Sequence, residues 1–343
     1  MNRAMPLAFG VGALAALAWA LLAMNGGDVM PSYLAGWLFW LALPLGALPM
    51  AMALELLGIT EWAVLPPLRR LLLLLPVVAV FGIPVMVEAS ALYHRPGHDL
   101  AMPADWMAPG FFVARMVAML LAWSGLALLF ARAPRRGPRR ALAVLGLMLH
   151  FAMGTLAGVD WVMSLDAGLG SSAFGLLVIA GQVSAAACVA AFALAVGSGG
   201  RPMPGEAAPL VLAALSGWVF LHFIQYLVTW SANLPAEVTW YQARIGGLGE
   251  TALWFGFAAA VLAFMGLLPH RLARAPVALA SVAAMLLLAH GVEMLWLVTP
   301  SFRGGFSLSL ADLLAMCGLG GLAVGGLLLA GRAAAKEAPR GAA

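Results

Sequence analysis

Long apolar runs, separated by short stretches rich in Arg, Pro and Gly, set the pattern of this chain. A helix needs roughly 20 residues to cross a bilayer. Ten runs meet that length, at 6–24, 33–57, 71–92, 110–131, 141–163, 171–196, 209–231, 249–268, 276–297 and 310–330. The first follows Asn2-Arg3 and has the look of a secretory leader. Its apolar part is long, however, and Met24-Asn25-Gly26 makes a poor cleavage site, so it is read as a retained helix. Spans two and three carry Pro44, Pro49, Pro76 and Pro84, each of which removes a backbone donor and is expected to bend its helix. Gly154 and Gly158 in span five, and Gly321 and Gly325 in span ten, are four apart, a weak signal for close helix packing. No soluble domain fits, the loops near 92–110 and 232–248 being lids at most, and residues 332–343 read as a solvated tail. The pattern predicts an all-α integral membrane fold of ten transmembrane helices.

Composition agrees. Of 343 residues, 64% are hydrophobic and 9% charged, against about 25% charged in soluble domains. The mean hydropathy is +1.00 and the sequence pI about 9.6. That basic balance does not point to nucleic acid, because the arginines sit in short runs between apolar segments, where they orient spans. With the N-terminus inside, the inner segments hold fourteen of the eighteen Lys and Arg residues. These are Arg3, Arg69, Arg70, Arg132, Arg135, Arg136, Arg139, Arg140, Arg201, Arg271, Arg274, Arg332, Lys336 and Arg340. The outer segments hold Arg95, Arg244 and Arg303, and Arg115 lies within span four. Both termini are therefore expected on the cytoplasmic side. The two cysteines, Cys188 and Cys317, fall mid-span and offer neither a disulfide framework nor a CxxCH site for covalent haem.

Polar side chains inside spans are costly enough to suggest a purpose. Glu88 lies near the outer end of span three and Arg115 one turn below the outer surface. His150 is mid-depth in span five, with Asp160 at its end and Asp166 just beyond. His222 and Gln225 share one face of span seven, and His290 and Glu293 share one face of span nine, both pairs being i, i+3. A histidine beside a carboxylate suits a proton relay, and it also suits hydrogen bonding to a quinone oxygen. The same groups also serve as hydrogen bonds between helices in many bundles, though their spread over five spans exceeds what that role needs. A haem held by two of His150, His222 and His290 lacks any further cue. Arg115 has two readings: a structural pair with Glu88 or Asp160, or a cation that keeps a carboxylate ionised beside a site. Two outer loops, VDWVMSLDAGLGSS (159–172) and TWSANLPAEVTWYQAR (229–244), combine carboxylates, tryptophans and turn residues. They fit either an interfacial anchor or a docking face for a periplasmic protein, the second carrying Asn233, Glu237, Trp240, Tyr241 and Arg244.

Those loops carry a family resemblance. Asp160-Trp161-Val162-Met163-Ser164-Leu165-Asp166 matches the segment D-W-x-M-S-L-[ED], and Gln225 to Arg244 matches Q-Y-L-x-x-W-x-x-N-L-P-x-E-x-x-W-Y-x-x-R. Leu92-Tyr93, Trp296 and Pro300 match more weakly. The chain resembles the ActF-type membrane subunit of alternative complex III, a quinol:electron-acceptor oxidoreductase, within the broader NrfD/polysulfide-reductase membrane-subunit family. It departs from that pattern at Ala167-Gly168-Leu169 and at Ile224. The resemblance implies two four-helix bundles, spans two to five and six to nine, with spans one and ten peripheral. It also implies a bacterial inner membrane, an NrfD-like sibling subunit, and periplasmic subunits carrying haem c and iron–sulfur centres. A quinone or menaquinone is the cofactor it suggests.

The leading expectation is thus a respiratory membrane subunit, not catalytic alone. In it His150, His222, His290 and Glu293 line a polar path, Asp160 and Asp166 form the outer exit, and Gln225 orients a water or a quinone oxygen. A secondary transporter with a mid-membrane polar site, and a purely structural anchor for periplasmic redox subunits, stay open as alternatives.

Overall fold

The computed structural model describes residues 4–25, 27–93, 105–134, 137–166 and 168–337. Arg3, Arg95, Arg135, Arg136, Ala167 and Arg340, and most of the predicted 92–110 loop, lie outside the described residues. In chain order the helices are α1 (Ala4–Met24), α2 (Met30–Leu56), α3 (Leu65–Leu72), α4 (Leu75–Val80), α5 (Ile83–Val87), α6 (Ala89–Tyr93), α7 (Pro109–Arg132) and α8 (Pro138–Trp161). A single 3-10 turn, Met163–Leu165, separates these from α9 (Phe174–Gly197), α10 (Ala207–Ala232), α11 (Pro235–Gln242), α12 (Leu248–Leu267), α13 (His270–Ala273), α14 (Pro276–Val298), α15 (Pro300–Arg303) and α16 (Leu310–Glu337). No β-strand forms among the described residues.

Eight of the helical segments are long and apolar enough to cross a membrane: Met30–Leu56, Leu65–Val87, Pro109–Arg132, Pro138–Leu165, Phe174–Gly197, Ala207–Ala232, Leu248–Leu267 and Pro276–Arg303. The chain is an all-α, multi-pass integral membrane protein in contact with the bilayer. The first and last predicted spans fall on α1 and α16, whose described apolar stretches, Phe9–Met24 and Leu310–Gly326, are shorter. The ten-span expectation therefore stands at eight among the described residues. α16 also continues as helix past residue 330, to Glu337.

Proline explains where many of these helices begin. It sits within the first two positions of α2, α3, α4, α5, α7, α8, α11, α14 and α15, where its missing N–H is no loss. In span three the consequence is stronger than a bend. Pro76 and Pro84 restart the chain as separate short helices, α4 and α5. Pro44 and Pro49, by contrast, are carried inside the continuous α2. At the far end of α10 the chain turns through Asn233, whose φ of 48° is left-handed, a conformation Asn tolerates better than most residues. Leu234 is then extended, as a residue before proline prefers, and α11 starts at Pro235.

The spans can be described as two consecutive groups, α2 to α8 and α9 to α14, although the α2–α9 contact between them is as extensive as any inside either group. α2, α3 to α5, α7 and α8 contact one another, as do α9, α10, α12 and α14. The groups meet chiefly where α2 lies against α9, with α8 and α14 reinforcing the seam. α2 is apolar all round and buried along nearly its whole length, from Pro31 to Leu54, as a central helix must be. Small residues allow the close approaches. A Cβ on Gly46 of α2 would fall on the backbone carbonyl of Gln182 in α9. Gly158 of α8 meets Gly175 and Val178 of α9, while Gly321 and Gly325 of α16 pack on Gly12 and Phe9 of α1. Both weak glycine spacings thus mark helix contacts. α1 and α16 pair with each other on the outside of α2.

Replacing Gly46 by Leu should destabilise the protein by about 1–3 kcal/mol through overpacking, read as a lower Tm in detergent. Gly125 of α7 has open space around it, and Gly125→Ala should leave the Tm equal or higher. An unchanged Tm for Gly46→Leu would mean that the two groups do not meet at this crossing.

Candidate functional site

α10 and α14 of the second group bring polar residues to one carboxylate, and α9 joins the cluster through one of the histidines. Glu293, on α14, accepts a hydrogen bond from the Trp218 indole N–H at 2.8 Å through Oε1. The same oxygen lies 2.6 Å from His222 Nε2, also on α10. Its other oxygen, Oε2, lies 3.0 Å from His290 Nδ1, and His290 Nε2 is 3.0 Å from the Ser184 hydroxyl of α9. The helical repeat dictates this arrangement. Trp218 and His222 are four residues apart, His290 and Glu293 three apart, so each pair shares a face. The Trp218 ring packs edge-on against both imidazoles, with centroids 5.0 Å from His222 and 4.7 Å from His290. With Glu293 as a carboxylate, His222 donates from Nε2 and His290 from Nδ1. That fixes the tautomers of both rings and leaves Nδ1 of His222 as a proton acceptor.

One side of this cluster borders a cavity of about 480 Å³ between α10, α12 and α14. His222, Glu293 and Trp218 line it together with apolar side chains such as Phe223, Phe257 and Val261. α10 and α12 touch only sparsely, and the cavity opens between them: Phe223 and Phe257 on its rim are 57% and 61% exposed. Tyr226 and Tyr241 close its far end with rings 5.7 Å apart, edge to face. Burial pushes the Tyr241 phenol above its ordinary range, with Tyr226 adding and Arg244 opposing, so this group is a neutral hydrogen-bonding wall.

The end of the protein beyond that cavity is fastened by three arginine–aspartate pairs. Arg115 of α7 bonds Asp160 of α8 through Nε at 3.0 Å and pairs with it through Nη2 at 2.9 Å. Trp106 joins them: its indole N–H donates to Asp160 at 3.0 Å, and its ring lies 4.0 Å from the guanidinium. Arg244, after α11, donates to Asp166 at 2.9 Å, to the Leu297 carbonyl at 3.0 Å and to the Ser301 hydroxyl at 3.0 Å. It too lies 4.0 Å from a tryptophan ring, that of Trp240. Burial presses the Arg244 guanidinium below its ordinary value, and the Asp166 carboxylate works against that shift. Arg303 makes a two-pronged pair with Asp312, at 2.8 and 2.9 Å, and reaches Ser32 of α2 at 2.9 Å.

The residues singled out by the sequence therefore separate. His222, His290 and Glu293 come together. His150 does not: it is fully buried on α8 in the first group, beside Trp123, with neither ring nitrogen bonded. Its helix faces a different interior from the other three. Asp160 and Asp166 each pair with an arginine, Arg115 and Arg244 respectively. Arg115 takes Asp160, while Glu88 is exposed. Gln225 is buried and accepts a hydrogen bond from the Ser171 hydroxyl, away from the cavity lining. Of the loop residues offered as a docking face, Trp240 and Arg244 are turned inward, at 5% and 1% exposure. Asn233 terminates α10, and Glu237 and Tyr241 are half-buried or better exposed.

Several participants were not singled out. Trp218 could have been found from its i, i+4 spacing to His222, whereas Ser184 carries no sequence signal. Asp312 was legible as the fourth residue of Ser309-Leu310-Ala311-Asp312, a capping pattern ahead of an apolar run. The Ser309 N–H donates to the Asp312 carboxylate at 2.7 Å, as that pattern requires.

Arg115→Met should cost about 3–5 kcal/mol, because Asp160 is left buried without its counter-charge. The double variant with Asp160→Leu should recover part of that loss, and Glu88→Gln should stay within about 0.5 kcal/mol of the parent. Thermal unfolding of the three purified variants decides whether Asp160 is the true partner. A scan against protein-family models finds no match for this chain, and a search of curated proteins finds no similar sequence.

Proposed function

We propose that this chain is a membrane subunit of a bacterial respiratory quinol:electron-acceptor oxidoreductase, and that it presents the His222–Glu293 wall of its lateral cavity to a quinol. One observation carries the reading: a large apolar cavity, opening sideways between α10 and α12, ends at a histidine held by a buried carboxylate. A quinol is an apolar molecule with hydroxyls on its ring, and this cavity offers an apolar bed with a base at one wall. In oxidation a quinol loses two protons and two electrons and becomes a quinone. His222 Nδ1 is the acceptor for one hydroxyl proton, with Glu293 balancing the charge of the imidazolium that results, and the other hydroxyl proton goes to solvent water. The electrons pass to a redox centre of a partner subunit, haem c or iron–sulfur, with cytochrome c as the eventual acceptor. The sequence resemblance to the ActF type, with an NrfD-like sibling in the same membrane, favours the same assignment, as does an orientation with both termini cytoplasmic.

His222→Leu and Glu293→Gln should each lower quinol-dependent cytochrome c reduction by the assembled complex about 10²-fold or more, with partner subunits still co-purifying. A photoreactive quinone should label α10 or α12 of the parent chain. Parental rates in both variants, or label found only elsewhere, would overturn the assignment. Solute uptake by the isolated chain in liposomes would instead identify a transporter.

A further inference from the structure

The lateral cavity changes chemistry along its length. Toward Ala260, Val261 and Phe264 of α12 its lining is apolar. His222 and Glu293 stand part-way along it, and Tyr226 and Tyr241 form the other end. Tyr226 follows His222 by four residues on α10, a rise of about 6 Å. The Tyr241 ring is fixed by its neighbours, with centroids 4.8 Å from Trp240, 5.7 Å from Tyr226 and 6.4 Å from Trp296. Tyr226, by contrast, is 50% exposed at the rim. Neither phenol hydroxyl bonds to another of the described residues. A tyrosine hydroxyl held in an apolar wall ordinarily has a hydrogen-bond partner, and the cavity that both rings line is where one can enter.

We infer that Tyr241 is the second polar contact of this cavity, hydrogen-bonding the ring oxygen opposite the one that meets His222, so that the site selects six-membered rings with two opposed oxygens. The inference rests on the quinol reading. The span of such a ring with its two oxygens is of the same order as the helical turn between His222 and the tyrosines. A phenol has one O–H to donate and an oxygen that accepts. Tyr241 therefore accepts from a quinol hydroxyl and donates to a quinone carbonyl, and it serves both redox forms. It takes up no proton: the hydroxyl beside His222 gives its proton to Nδ1, and the other proton goes to solvent water. Tyr241 is thus a positioning residue that also sets specificity. His222 separates an oxygen-bearing head from an acyl chain, whereas Tyr241 separates a head with two opposed oxygens from a head with one. With both oxygens held, the stretch toward Phe264 and the gap between Phe223 and Phe257 are left to the tail.

The test uses the assembled complex, a short-chain quinol as substrate and two inhibitors. One is the monomethyl ether of that quinol, which keeps both oxygens but is not oxidised to a quinone. The other is the phenol that lacks the ether oxygen. The parent should bind the ether about tenfold tighter than the phenol, the worth of one hydrogen bond. Tyr241→Phe, which keeps the ring and its aromatic contacts, should raise KM about tenfold with kcat little changed. It should also weaken the ether to the level of the phenol, leave the phenol as in the parent, and keep the parental Tm. Tyr226→Phe should leave the discrimination intact. Equal binding of the two inhibitors by the parent, or a Tyr241→Phe variant that loses both alike or neither, overturns the inference. If the photoreactive quinone still labels the chain, that outcome leaves the quinol reading standing. Absence of label from α10 and α12 sinks the quinol reading and this inference together.

Discussion

A polar side chain placed in hydrocarbon must find its partner within the protein, since neither lipid nor bulk water can supply one. That constraint organises this molecule more than any single contact. Arg115, Arg244 and Arg303 each meet an aspartate, and two of them lie over a tryptophan ring, 4.0 Å from its centroid, which shields the guanidinium while keeping it charged. Glu293 meets two imidazoles and an indole. Once these groups are accounted for, the few buried polar atoms that stay unbonded stand out. Among the described residues Gln182 and His150 are examples, and Gln182 borders a void that Glu293 and His290 also line.

The two groups of helices use the constraint differently. In the first, the ionisable pair Arg115–Asp160 is a clamp at one end, and the interior around Trp123 and His150 is packed with aromatic rings. In the second, the carboxylate sits part-way down the bundle, five residues from the end of α14, and one flank is left open by the loose meeting of α10 and α12. The seam of α2 against α9 joins them. Gly46 lets the two backbones approach closely at Gln182, which places that residue at the seam. The same glycine that sets the packing thus sets the geometry of the polar void behind Glu293.

Much of the fold was legible in the sequence. The eight long spans each overlap a predicted apolar run, with ends that differ by up to six residues, because length and hydropathy are local properties. Proline positions were legible too, although Pro76 and Pro84 divide span three more completely than a bend, since neighbouring helices rather than their own backbone hold the pieces together. The candidate site was half legible. The i, i+3 spacing correctly put His290 beside Glu293, and the two histidines of the second group share that carboxylate. Equal depth made His150 look equivalent to them, but depth says nothing about which interior a helix faces. The partners of Asp160 and Asp166 were less legible: a carboxylate at a helix end reads the same whether paired or free, and the arginine that meets it is 45 or 78 residues away.

The sideways opening of the cavity has a consequence for how it is filled. Whatever enters between Phe223 and Phe257 arrives from the membrane plane. Its supply is set by partitioning into the lipid phase and by two-dimensional diffusion, not by its concentration in water. Acyl chains are present there in vast excess and compete for the same apolar bed. Discrimination must then come from the one place where an acyl chain has nothing to offer, the imidazole of His222 and the carboxylate that holds it.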